Sequence, residues 1–149
     1  MVSSKLPHKH FIIFKPYGYL SQFTSNDSKQ QSKKFLGSLH EFPEGIMAIG
    51  RLDEASEGLL LLTTDGKMSD HINSQKVEKE YYAQVDGDIS EEAIQKLKTG
   101  VEIGFDGGKY KTKPCKAFKL ESIPNLPNRG KKIRDARHGA TSWVSIVLN

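Results

Sequence analysis

The chain has 149 residues and a net charge of +4, with 22 lysines and arginines against 18 aspartates and glutamates. This length suffices for one domain with its own core and is too short for two typical domains. The mild positive charge fits a polyanionic partner, while the single cysteine, Cys115, excludes an intrachain disulfide and fits a reducing cytoplasm. The apolar run Phe11–Phe14 is far short of the roughly 20 residues that cross a membrane, so we expect no membrane segment.

The N-terminal part of the sequence predicts a strand that ends in an unusual turn. We expect residues 1–9 to form a flexible N-terminus and His10–Phe14 to form a strand. Pro16 interrupts strand pairing and Gly18 permits a tight turn, so Lys15 and Tyr17 gather at the strand end. Both a turn folded onto the core and a binding role for these two side chains are compatible with this pattern.

The stretch from Ala48 to Gly66 combines a polar half with an apolar half. Leu59–Leu62, bounded by Gly58 and by the turn dipeptide Asp65-Gly66, predict a short strand buried on both faces. Charged residues precede this strand in the sequence Gly50-Arg51-Leu52-Asp53. Spacing alone is compatible with a salt-bridged turn or with a carboxylate held at the wall of a cleft.

The remainder of the chain alternates between strand and helix patterns. The predicted elements, in order, are helical turns over Lys67–Ile72, a strand over Val77–Val85, a helix over Ser90–Thr99, a glycine-containing connection over Val101–Gly108, and strands over Tyr110–Leu120 and Ser142–Leu148. The helix is the clearest of these, because Ser90 can cap its start and Gly100 can end it. Tyr81 alternates onto the same strand face as Ala83 and Val85.

A basic segment follows Ile123. It is rich in Gly, Pro and Asn, and its cationic residues are Arg129, Lys131, Lys132, Arg134 and Arg137. The pattern is compatible with a loop that tracks RNA phosphates and with a solvated linker between strands. The histidines are scattered, and we expect no metal site.

The pattern of elements predicts an α+β fold on a largely antiparallel sheet with flanking helices. The hairpin-like spacing of the strands near 79–85, 110–120 and 142–148 supports this prediction. Exposed strand edges would permit pairing with another chain, and without such pairing we expect a monomer.

Three motifs of this sequence resemble the pseudouridine synthases of the ribosomal small-subunit pseudouridine synthase A family. The central motif is Gly50-Arg51-Leu52-Asp53 followed by Ser56, Gly58, four aliphatic residues and two threonines. A second is Phe14–Gly18 followed by Leu20–Phe23, and a third is Lys79-Glu80-Tyr81. The resemblance extends over roughly Phe11 to Asn149.

The resemblance implies an enzyme that isomerises uridine to pseudouridine in ribosomal RNA without a cofactor, and it is nearest to the stand-alone branch that modifies 23S RNA. It implies that residues 10–149 are a catalytic domain that lacks the family's C-terminal segment. The family's fold has a central mixed sheet with helices packed around a cleft. Asp53 would be the catalytic aspartate and Tyr81 would lie in the cleft. Substrate or RNA contacts are expected from Lys15, Tyr17, Arg51, Lys79 and the basic segment. The alternative is a catalytically incomplete fragment that binds RNA.

Overall fold

The structure, a computed structural model, describes residues 7–74, 76–129 and 139–149. The chain divides into two compact units, Met1–Val77 and Glu78–Asn149. Most of the N-terminus predicted to be flexible lies outside the described residues, and a single catalytic domain over 10–149 stays a prediction. No helix in the described ranges is long and apolar enough to cross a membrane.

The described residues form ten strands, two α-helices and one 3-10 turn. The elements of the first unit are β1 (His10–Lys15), β2 (Tyr19–Leu20), β3 (Lys34–Phe35), the 3-10 turn Leu36–Ser38, β4 (Met47–Ile49), β5 (Gly58–Thr63) and α1 (Gly66–Asn73). Those of the second unit are β6 (Lys79–Asp86), α2 (Glu91–Thr99), β7 (Glu102–Phe105), β8 (Gly108–Lys111), β9 (Lys116–Lys119) and β10 (Thr141–Leu148). Three sheets are antiparallel, and β2 pairs with β3 in parallel. The predicted α+β class with mainly antiparallel strands is confirmed.

The first unit is built on an antiparallel sheet in the order β1-β5-β4. Leu60 and Leu62 point from β5 into a core with Leu36, and the partly buried Phe11 and Phe42 pack against them. Their neighbour Leu59 points the other way and is 67% exposed. The predicted strand is confirmed, but the prediction that both its faces are buried is wrong, because the core cluster covers one face only.

The second unit packs α2 against a sheet in the order β6-β10-β9. Ile94 of α2 meets Ala117 and Val144 in a buried cluster. The helix begins as the sequence predicted, because the Ser90 side chain accepts a hydrogen bond from the backbone N–H of Ala93 at 3.1 Å. It ends at Gly100, which has a φ of +117°.

The region between α2 and β9 differs from its prediction. The predicted connection over Val101–Gly108 contains strand β7 and the first residue of β8. These two strands pair as an antiparallel hairpin. The two residues between these strands, Asp106-Gly107, form a typical hairpin dipeptide, and Gly107 has a φ of +101°. The predicted strand Tyr110–Leu120 is two strands, because Pro114, which lacks an N–H, lies between β8 and β9.

The edges of the sheets bear on the predicted pairing with another chain. Within the described residues, β1 and β4 are the outer strands of the first three-stranded sheet, and β6 and β9 are those of the second. Pairing through these edges stays a prediction.

Two leucines of β5 allow a direct test of the one-sided core. Leu62→Ala should lower the free energy of unfolding by about 2–5 kcal/mol, because Leu62 is 1% exposed and its loss leaves a cavity. Leu59→Ala is the matched control and should change it by less than about 0.5 kcal/mol. Urea unfolding followed by far-ultraviolet circular dichroism measures both. Equal losses would contradict the one-sided burial.

Candidate active site

Asp53 lies in the loop 50–57 that joins β4 to β5. Its side chain is exposed, and it has no hydrogen bond or ion pair with any residue that the structure describes. The backbone around it is ordered by a turn, since the N–H of Ser56 donates to the carbonyl oxygen of Asp53 at 2.9 Å. The loop therefore presents an accessible carboxylate on a fixed backbone.

The residue before Asp53 is held by a buried serine. The hydroxyl of Ser21 donates to the carbonyl oxygen of Leu52 at 2.8 Å and accepts from the N–H of Leu52 at 2.9 Å. Ser21 is 7% exposed. Both backbone polar groups of Leu52 are thus satisfied by one side chain that is 31 residues away in sequence.

The residue after Asp53 is held by the turn that follows β1. The N–H of Gly18 donates to the carbonyl oxygen of Glu54 at 2.8 Å, and the ammonium group of Lys15 donates to the same oxygen at 3.4 Å. Gly18 can reach this position because its φ is +86°, which favours glycine. The Glu54 side chain forms an ion pair with Lys33 at 2.9 Å.

Lys15 is fully buried. Its ammonium group also donates to the carbonyl oxygens of Tyr19 at 2.8 Å and of Pro16 at 2.9 Å. A buried cation requires such partners, because its hydration is lost on folding. The sequence predicted an RNA or substrate contact for Lys15, whereas its position in the structure favours a role in joining the turn to the Asp53 loop.

Glycine at position 50 allows the start of the loop to approach α1. A Cβ atom at Gly50 would lie 3.1 Å from Oδ1 of Asn73, and the φ of Gly50 is +73°. A side chain here would therefore be both strained and crowded. Glycine thus permits the backbone of the Asp53 loop to approach the Asn73 side chain closely.

Arg51 is exposed and is oriented by the same N-terminal segment. Its Nη2 donates to Oε1 of Gln22 at 3.1 Å. Gln22 follows Ser21 directly, so adjacent residues contact Arg51 and Leu52. A contact of Arg51 with RNA or substrate stays a prediction.

The other predicted site residues are distributed over both units. Tyr17 is half-buried in the turn after β1. Tyr81 lies on β6, opposite Ile146 of β10, and is 42% exposed; Lys79 begins the same strand and is half-buried. Because Asp53 and Tyr81 belong to different units, the predicted cleft that would contain both stays a prediction.

The basic segment is described only in part. Arg129 is half-buried. The other predicted cations lie outside the described residues: Lys131, Lys132, Arg134 and Arg137. Their contacts with phosphates stay predictions.

A cavity of about 760 Å³ in the first unit lies at the start of α1 and does not include Asp53. It is lined by side chains such as Met47, Asp65 and Asp70. Across the described ranges, no group of three or more His, Cys, Asp or Glu residues is arranged to hold a metal ion.

Two residues of the site were not assigned by the sequence analysis, Ser21 and Gln22. Both belong to the stretch Leu20–Phe23 that carried part of the family resemblance. Their partners are 31 and 29 residues away, so no local pattern identifies these contacts. The signal in the sequence was that this stretch follows the Lys-Pro-Tyr-Gly turn within a motif that resembles the family.

A family model described as RNA pseudouridylate synthase matches residues 9–149. The ribosomal large subunit pseudouridine synthase E of Vibrio parahaemolyticus is 34% identical over 146 residues, which cover 96% of this chain and 57% of that protein. The protein of the same name from Xanthomonas axonopodis pv. citri is 35% identical over 139 residues, which cover 92% of this chain and 70% of that protein.

A solved structure described as a pseudouridylate synthase has a similar fold. It matches with a TM-score of 0.67 and 21% identity, over 99% of this chain and 54% of its own. The chain thus spans 57% of the Vibrio relative and 54% of the solved chain.

The position of Lys15 can be tested by stability measurements without RNA. Lys15→Met should lower the free energy of unfolding by about 1–3 kcal/mol, because three partly buried carbonyl groups lose this donor. Lys33→Met is the control, and its exposed ion pair with Glu54 should contribute less than about 1 kcal/mol. Urea unfolding of both variants measures the difference. Unchanged stability of Lys15→Met together with weakened RNA binding would support the predicted contact with RNA or substrate instead.

Proposed function

We propose, because this chain belongs to the RNA pseudouridylate synthase family, that it is the catalytic part of an enzyme that isomerises a specific uridine to pseudouridine in ribosomal RNA. The observation that carries the proposal is the accessible carboxylate of Asp53, held on both sides by hydrogen bonds from the segment 15–21. A general base or nucleophile needs such a fixed position beside its substrate.

The RNA that this enzyme would modify is that of the large ribosomal subunit. Support comes from the names of the Vibrio and Xanthomonas relatives, both large-subunit pseudouridine synthases. We therefore propose 23S RNA as the substrate and the cytoplasm as the location. The net charge of +4 suits a polyanionic substrate.

The reaction requires no group to enter or leave permanently. The bond from N1 to C1′ breaks, the base turns over, and a bond from C5 to C1′ forms. N1 gains a proton and C5 loses one, so the atoms balance without a cofactor. Because both faces of the sugar-base bond must be reached, the nucleotide has to leave its stack.

We assign the first step to Asp53. Its carboxylate either attacks C1′ or removes the proton from C2′ to give a glycal, and both routes need an ionised, accessible group. Tyr81 is proposed to assist removal of the C5 proton. The remaining proposed contacts with RNA are made by Tyr17, Arg51, Lys79, Arg129, Lys131, Lys132, Arg134 and Arg137.

Asp53→Asn should reduce tritium release from 23S RNA labelled at C5 of uridine by at least about 100-fold, since the carboxylate is lost while the shape is kept. The assay uses the full-length protein. Asp70→Asn, at an exposed carboxylate of α1, is the control and should retain activity. Equal release by Asp53→Asn and wild type would contradict the assignment. RNA binding that weakens with salt, without tritium release by the wild type, would identify an RNA-binding fragment instead.

Two adjacent tyrosines provide a matched test of the proton-transfer role. Tyr81→Phe should slow tritium release by about 100-fold or more, because a phenol oxygen is removed near the reacting base. Tyr82→Phe is the control, since Tyr82 is 45% exposed, close to the 42% of Tyr81, and points to the opposite face of β6. Similar rates for the two variants would exclude Tyr81 from the chemistry.

A further inference from the structure

We infer that Ser21 is a positioning residue for the reaction, and that its hydroxyl sets the orientation of the Asp53 carboxylate through the backbone of Leu52. This inference rests on the proposed function, since it assumes that Asp53 does the chemistry. Ser21 touches no reacting atom in this scheme and acts only through its neighbour.

The first step of the inference is the geometry at Leu52. The carbonyl group of Leu52 shares a rigid peptide plane with the backbone nitrogen of Asp53. The Ser21 hydroxyl bonds to that carbonyl oxygen at 2.8 Å and receives the Leu52 N–H at 2.9 Å. One side chain therefore fixes the peptide planes on both sides of Leu52, including the plane that leads into Asp53.

The second step is the geometry at Glu54. Its carbonyl oxygen accepts from the N–H of Gly18 at 2.8 Å and from the Lys15 ammonium group at 3.4 Å. The plane directly after Asp53 is held through its own carbonyl oxygen, which accepts from the N–H of Ser56 at 2.9 Å. With the planes before and after Asp53 both held, the main freedom left to its carboxylate is rotation about its own side-chain bonds. Loss of the Ser21 contact would free the peptide plane that precedes Asp53.

The third step is the burial of Ser21. Only 7% of the residue is exposed, so its hydroxyl is not available for contact with an RNA chain. Removing the hydroxyl should therefore change how the carboxylate is presented and leave RNA affinity unaltered. A misplaced catalytic group costs rate in the chemical step.

The chain supplies a matched control for a purely structural effect. Ser142 is 8% exposed, donates to the carbonyl oxygen of Gly87 at 2.8 Å and accepts from the N–H of Ile89 at 2.9 Å. It holds a loop of the second unit by the same kind of contact. Ser142→Ala and Ser21→Ala thus remove equivalent buried hydrogen bonds from different loops.

The experiment compares kcat and KM for tritium release from 23S RNA by full-length wild type, Ser21→Ala, Ser21→Thr and Ser142→Ala. Ser21→Ala should lower kcat by about 10-fold to 100-fold and leave KM within about twofold. Ser21→Thr, which keeps the hydroxyl, should recover most of the loss, and Ser142→Ala should keep kcat within about twofold of wild type. If Ser21→Ala does not fold, Ser21→Cys replaces it in this comparison, because cysteine has a similar volume and only a weak hydrogen-bonding group.

Three outcomes would overturn the inference. They are a wild-type kcat for Ser21→Ala, an equal fall in kcat for Ser21→Ala and Ser142→Ala, and a rise in KM in place of the fall in kcat. Backbone hydrogen exchange adds a readout that does not need activity, because Ser21→Ala should speed exchange in residues 50–57 and Ser142→Ala should not. Full activity of Asp53→Asn would instead end the proposed function and leave the exchange result standing.

Discussion

The candidate site depends on the hydrogen bonds that hold the two neighbours of Asp53. Their donors and acceptors come from the segment 15–21, and the contacts at Ser21 and Lys15 are buried. Buried polar groups without partners are costly, so the loop and the segment each satisfy groups that the other would leave unpaired. This mutual dependence gives an exposed carboxylate a defined position although its own side chain has no partner among the described residues.

Apolar packing supplies the second support of the loop. Strand β5 begins where the loop ends, and Leu60 and Leu62 anchor it in the core with Leu36. Strand β1 pairs with β5 over its whole length, and its last residue is Lys15. The Asp53 loop and the segment that holds it therefore lie at the same end of the β1–β5 strand pair. Neither the leucines nor the buried lysine alone would fix the carboxylate.

Sequence patterns predicted those features of the structure that have local causes. Helix α2 follows from its cap at Ser90 and its terminator Gly100, and β5 follows from its run of leucines. The exposed face of β5 could not be predicted, because four consecutive leucines carry no alternation to indicate which face is covered. The β7–β8 hairpin also has a local cause, the turn dipeptide Asp106-Gly107. Asp53 was identified by resemblance, while its holding contacts with Ser21 and Lys15 were missed because they join distant parts of the chain.

The pairing of β1 with β5 has a consequence for the order of folding. Lys15 pairs with Gly58, and the contact between Ser21 and Leu52 itself joins residues that are 31 apart, so a long loop must close before the Asp53 loop and its holding segment meet. Contacts of such long sequence separation form slowly, because the entropy of loop closure is lost before any contact is gained. The helices and the β7–β8 hairpin can form locally and early. During refolding or synthesis, the Asp53 carboxylate should therefore reach its defined position after most secondary structure has formed.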